Sequence, residues 1–179
     1  VLAVDAKSGK VLWHFNTIPQ DAKDQGWEIA GPTWVGGERN GGGIWETPAI
    51  DPELGLLYVA VANPFGDSTK RAGANLFSDS LVALTLDTGT LKWYFQQTHH
   101  DVWDYDSGAP PTLFDMQVNG RRVKAVAEAS NSKVAAALRP GSRFIGFSGL
   151  GKGIRVGSIA RHIAHMHGEV LPRERPRKS

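Results

Sequence analysis

Apolar and polar residues alternate from Val1 to Phe15, in VLAVDAKSGKVLWHF, on both sides of the turn-forming Lys7-Ser8-Gly9. Alternation of period two around such a turn predicts a β-hairpin. Ile44 to Ile50 and Gly55 to Ala62 predict a second hairpin around Asp51-Pro52-Glu53, and Ser80 to Leu86 with Thr90 to Gln96 a third about Asp87-Thr88-Gly89. Between them, residues 16–43 read as loop, with Pro19, Pro32 and an Asn-Gly-Gly-Gly finish, and residues 63–79 as a polar excursion. Ala109 to Asp115 and Arg122 to Ala127 look like the opening strands of a further unit. Beyond them the alternation stops, and residues 134–179 offer only a short helix-like run through Ile159, Ile163 and Met166.

The first and third hairpins repeat each other. Ala3, Asp5, Ser8, Gly9 and Trp13 align with Ala83, Thr85, Thr88, Gly89 and Trp93 at a constant offset of 80 residues. An all-β chain with such a repeat is a solenoid or a propeller. The second and third hairpins together hold four strands, the content of one propeller blade. The expected fold is therefore all-β: a β-propeller fragment of about one and a half to two blades of four-stranded antiparallel sheet, with a non-propeller C-terminal tail. In the repeat, Gly turns the hairpin and Trp fills the gap between neighbouring sheets.

Charge sharpens the division. Residues 1–132 carry 10 Lys and Arg against 16 Asp and Glu, net −6, whereas residues 133–179 carry 10 against 2, net +8. The tail also lacks Asp, Trp and Tyr. We expect a propeller part over 1–131 and a basic tail over 132–179, the latter a shifted reading frame or an unrelated junction. Its His162, His165 and His167 read as a solvated face, and without interleaved aromatics or a recognisable module its charge is no nucleic-acid signature. No apolar run reaches membrane-spanning length. Because the chain starts at Val1, inside a strand pattern, it reads as an internal piece of a longer protein. The absence of Cys removes disulfide and thiolate chemistry.

The stretch from Thr98 to Asp106, THHDVWDYD, has the composition of a site, with three Asp, two His and two aromatics in nine residues. Asp101, Asp104 and Asp106 would repel one another in a pocket unless a cation, a proton or a hydrogen-bond network compensated them. Asn63, placed before Pro64 where the chain must leave its strand, offers an amide oxygen suited to a hard cation, or simply a turn. His99 and His100 point opposite ways on an extended chain and are not read as a ligand pair. Asp101 is expected to cap the loop.

These stretches resemble one family. The spaced Ala…Gly…Trp pattern is similar to the tryptophan-docking motif of eight-bladed quinoprotein alcohol dehydrogenases, which carry pyrroloquinoline quinone (PQQ). GGGIWETPAIDPELGLLYVAVANP, residues 41–64, resembles the segment supplying their cofactor-stacking Trp and metal-binding Asn-Pro, and LKWYFQQTHHDVWDYD, residues 91–106, their catalytic-Asp segment. The resemblance implies Trp45 as the floor under the quinone, Asn63 as a ligand of Ca²⁺, and Asp104 as catalytic base and metal ligand. It further implies Asp106 as an added charge in the metal shell, the position where an acid accompanies lanthanide use in some relatives. Lys133 stands near, but not on, the family's quinone-contacting basic position, and no role passes to it. The implied activity of the parent is oxidation of an alcohol by hydride transfer to metal-bound PQQ, with electrons passed to cytochrome c or ubiquinone in the periplasm. The alternatives are a PQQ-dependent glucose or aldose dehydrogenase and a non-catalytic propeller scaffold. The fragment alone is expected to be inactive, because a propeller site draws on loops of many blades.

Overall fold

The computed structural model describes the backbone of residues 1–118, 121–131, 133–138 and 143–148, and side chains over 1–117 and 122–131. Strands β1 (Leu2–Val4) and β2 (Val11–His14) form a two-stranded hairpin. A four-residue helix α1 (Trp27–Ala30), running into a 3₁₀ turn at Gly31–Thr33, interrupts the segment read as loop. Next come β3 (Ala49–Asp51), β4 (Leu56–Val61), β5 (Ser80–Thr85) and β6 (Leu91–Gln96), a sheet in chain order. A second sheet consists of β7 (Thr112–Val118), β8 (Arg121–Ala129), β9 (Lys133–Leu138) and β10 (Arg143–Ser148), also in chain order. All pairings are antiparallel, so each sheet is an up-and-down meander of the kind that forms a propeller blade.

Two boundaries differ from the sequence reading. The strand expected over Ile44–Ile50 pairs only from Ala49 to Asp51, and Pro48 has no N–H to extend the ladder. The propeller part, expected to end at residue 131, continues: β9 pairs with β8 and β10 with β9. Backbone pairing carries the Ala-rich Lys133–Leu138 segment into the sheet although its sequence lacks alternation. The helix-like run at Ile159, Ile163 and Met166 lies outside the described residues.

Why β4 and β5 read as continuous apolar runs is clear from what covers them. Side chains of a strand alternate between faces. Leu57, Val59 and Val61 of β4 and Val82 and Leu84 of β5 pack with Phe15, Ala30 and Phe77 on one face. Leu56 and Tyr58, with Leu81 and Ala83, pack on the other face against Val126 of β8 and Leu113 of β7. Both faces are covered, so alternation between apolar and polar is lost. Each buried Val, Leu or Phe among them contributes roughly 1.5–3 kcal/mol relative to exposure.

The docking repeat is visible atom by atom. The Gly9 N–H donates to the Asp5 carbonyl at 2.8 Å and the Gly89 N–H to the Thr85 carbonyl at 2.9 Å, with Gly9 at φ 71° and Gly89 at φ 65°. Trp13 Nε1 donates to the Leu86 carbonyl at 2.9 Å, and its ring lies so close to Gly89 that a Cβ there would meet Cε3 at 2.3 Å. The turn of one unit is thus the seat for the Trp of another.

Candidate metal and cofactor site

Three segments meet at one end of the first sheet: the exit of β4, the polar excursion that follows it, and the loop between β6 and β7. The glycine run is the first device that brings chain together here. Gly41 bridges Pro64, the Gly42 N–H donates to the Asn63 carbonyl at 2.9 Å, and the Ala62 N–H donates to the Gly43 carbonyl at 2.8 Å. A Cβ on Gly41 would stand 2.5 Å from the Asn63 carbonyl oxygen, and one on Gly42 would stand 2.6 Å from Ile18. In the structure Gly41 lets two backbones approach and Gly42 leaves room for the Ile18 side chain, whereas a Cβ on Gly43 would meet only Trp45 Nε1, at 4.0 Å.

The loop is organised by Asp101, which caps it as expected. Its buried carboxylate accepts from the Trp103 N–H at 2.9 Å and the Tyr105 N–H at 2.6 Å. Arg71, buried in the polar excursion, donates through Nη2 to the Asp101 carbonyl at 2.7 Å and through Nη1 to Asn75 Oδ1 at 2.9 Å. This tight turn puts Asp104 in the left-handed region, φ 66°, where Asp is tolerated better than most residues. The segment is therefore not extended at Asp104, yet both of the following carboxylates reach Asn63. Asn63 Nδ2 donates to Asp104 Oδ1 at 2.5 Å, and the Asn63 N–H donates to Asp106 Oδ1 at 3.3 Å. Trp45 is 65% exposed and makes no hydrogen bond to this cluster. His100 Nδ1 sits 3.0 Å from the Gly73 carbonyl, so it braces the loop.

Asn63 is the informative member. Its residue is 4% exposed, and with the amide hydrogen committed to Asp104 its Oδ1 is buried without a hydrogen-bond partner. A buried orphan oxygen beside two carboxylates is a donor set for a hard cation such as Ca²⁺ or a lanthanide. Three oxygen-bearing residues are fewer than the six to eight or so oxygens Ca²⁺ takes. Among the described residues no cluster of three His, Asp or Glu completes the shell. The residues fit a metal as one part of its coordination. Asn63, Pro64, Phe65, Gly66, Arg71, Val102 and Asp104 help line an open cleft of about 290 Å³.

Under the cluster lies an acid that sequence reasoning passed over. Asp79 is fully buried, and burial, helped by the negative charges of Asp101 and Asp106, pushes its carboxyl up to about 8. Arg71 opposes the shift, as does the Ser78 hydroxyl, which itself donates to the Asn75 carbonyl at 2.6 Å. Glu128 of β8 is also shifted upward: burial raises it to about 7 although Gln97 Nε2 donates to its Oε2. The polar run Ser78-Asp79-Ser80 ahead of an apolar strand was a signal for Asp79; nothing local marks Glu128.

Comparison with known proteins agrees with this geometry. Residues 1–135 match the family model "PQQ: Glucose/ethanol/alcohol dehydrogenase, beta-propeller domain". The chain belongs to this PQQ-dependent family. Over 141 residues it is 40% identical to the quinohemoprotein alcohol dehydrogenase ADH-IIG of Pseudomonas putida, a match covering 72% of this chain and 20% of that protein. The solved structure of that P. putida enzyme superposes with a TM-score of 0.76 at 34% identity, over 88% of this chain and 26% of the other. The quinohemoprotein alcohol dehydrogenase of Comamonas testosteroni gives 0.72 at 29% identity, over 89% and 28%. The chain thus spans about a fifth of the length of the P. putida relative.

Proposed function

We propose that this chain forms one wall of the catalytic site of a PQQ-dependent alcohol dehydrogenase. Asn63 Oδ1 and the carboxylates of Asp104 and Asp106 contribute oxygens to a Ca²⁺ or lanthanide ion, the remaining ligands coming from other blades. Trp45, with its exposed indole face, serves as the stacking surface for the quinone. Bound PQQ, polarised by the metal, supplies a two-electron acceptor for the hydride of the alcohol carbon. Asp104 acts as the general base: its carboxylate takes the hydroxyl proton as the C–H bond breaks, and an aldehyde or ketone leaves. Phe65 and Val102, both exposed on the cleft, give the carbon side of the alcohol an apolar surface. Reoxidation falls to cytochrome c or ubiquinone, and the setting is the periplasm.

The carrying observation is the Asn63–Asp104 pair, 2.5 Å apart and 41 residues apart in the chain, with a buried amide oxygen left over. The test is PQQ- and Ca²⁺-dependent dye reduction with an alcohol by the full-length protein. Activity that disappears in Asp104→Asn supports the proposal. Full activity without PQQ, or in Asp104→Asn, contradicts it. A propeller that neither binds PQQ nor oxidises alcohols is a scaffold.

A further inference from the structure

The loop that carries Asp101, Asp104 and Asp106 leaves the first sheet at Gln97 and enters the second at Thr112. Both of its ends converge on one buried side chain of the second sheet. Gln97 Nε2 donates to Glu128 Oε2, and the Ala109 backbone N–H approaches the same carboxyl. Glu128 is 2% exposed, and its second oxygen, Oε1, is buried without a hydrogen-bond partner. Three residues along, the Asn131 N–H donates to the Asp106 carbonyl at 3.0 Å. Gln97 is itself anchored from the other side, its N–H donating to the Asp79 carbonyl at 2.7 Å.

The chemistry of the position argues against filler. Val126, two residues earlier on the same face, packs with Tyr58 and Leu81 in the apolar core between the sheets. A carboxyl in that setting is costly unless its hydrogen bonds are needed, and an apolar residue would seal the same interface at lower cost. Glu128 gives up that gain to hold both ends of one loop.

We infer that Glu128 is a positioning residue for the site: by fastening Gln97 and Ala109 to β8 it fixes the span of the 98–109 loop, and so the place of Asp104 and Asp106 relative to Asn63. The inference rests on the functional reading above for its catalytic consequence but not for its structural one.

The test uses the full-length protein with Glu128→Ala, Glu128→Gln and, as a control of matched core damage, Val126→Ala. Hydrogen exchange of the Trp103 and Tyr105 amides, which are bonded to Asp101, reports loop order without any cofactor. Glu128→Ala is expected to speed that exchange about tenfold or more while Val126→Ala leaves it unchanged. In the loaded enzyme kcat is expected to fall about tenfold or more in Glu128→Ala with little change in KM, since a misplaced base is felt in the transition state. Glu128→Gln, which keeps an acceptor oxygen, is expected to recover most of both. Unchanged exchange in Glu128→Ala, or equal acceleration in Val126→Ala, overturns the inference. If the wild-type protein oxidises no alcohol, the functional proposal fails, and the exchange rates alone decide whether Glu128 holds the loop.

Discussion

Two Asp-capped turns in this molecule are built alike and used differently. In the first hairpin Asp5 Oδ1 accepts from the Ser8 N–H and the Ser8 hydroxyl, each at 2.7 Å, in a turn on the solvent side. In the site loop Asp101 accepts from two backbone N–H groups in the same manner, but it is buried and backed by Arg71. Around Asp5 every polar demand is met locally or by water. Around Asp101 the bookkeeping stays open: Asn63 Oδ1 and the Ser107 hydroxyl are buried without partners, and Asp79 is held as an acid that titrates near 8. A purely structural turn has no reason to retain such orphans, because each costs about 1–3 kcal/mol. Under the function proposed above, a ligand from outside the chain satisfies Asn63 Oδ1.

The comparison breaks first at Asp104. Replacing this exposed residue by Ala is expected to lower alcohol oxidation by the full-length enzyme about 10²–10⁴-fold with little loss of stability, measured by steady-state kinetics beside thermal unfolding. The docking corner should respond in the opposite sense. Gly89→Ala imposes a side chain at φ 65° and collides with Trp13, so it is expected to destabilise by about 2 kcal/mol or more and leave the chemistry of folded enzyme intact. Denaturant midpoints compared with kcat of the folded fraction check this.

A smaller effect comes from Glu128. Its folded pKa of about 7 exceeds its ordinary value of 4.5, so between those values the folded protein holds a proton that the unfolded chain has released. The contribution of Glu128 therefore falls as pH rises through that window and levels off above it, on top of a slope of the same sign that Asp79 adds up to about pH 8. Thermal midpoints of the apo protein from about pH 5 to about pH 8 should show this slope, reduced in Glu128→Gln. Least of all, Asp5→Ala is expected to lower the thermal midpoint only slightly in the same unfolding measurement, with no effect on activity.

How much of this was legible in the sequence follows from the range of each interaction. The three hairpins were, because turn residues and alternation are local; the docking repeat was, because Gly9 and Gly89 have to stand at the same place in two turns. Asn63, Asp104 and Asp106 could be named through resemblance, and the structure then brought them into contact. Their supports were not legible. Arg71 reaches Asp101 across 30 residues and Gln97 reaches Glu128 across 31, and no periodicity announces such pairs. The strands at Lys133–Leu138 and Arg143–Ser148 escaped notice for another reason: their place is set by backbone pairing, the first to β8 and the second to the first, which a sequence without alternation does not signal.

The central claim, that the site loop and the exit of β4 form part of a hard-cation shell, is tested most directly by titrating Ca²⁺ into the metal-free full-length protein and its Asn63→Ala variant. The expected result is saturable binding by the wild type, weakened about tenfold or more in Asn63→Ala, with Asp5→Ala as an unaffected reference. Equal affinities in wild type and Asn63→Ala would contradict it.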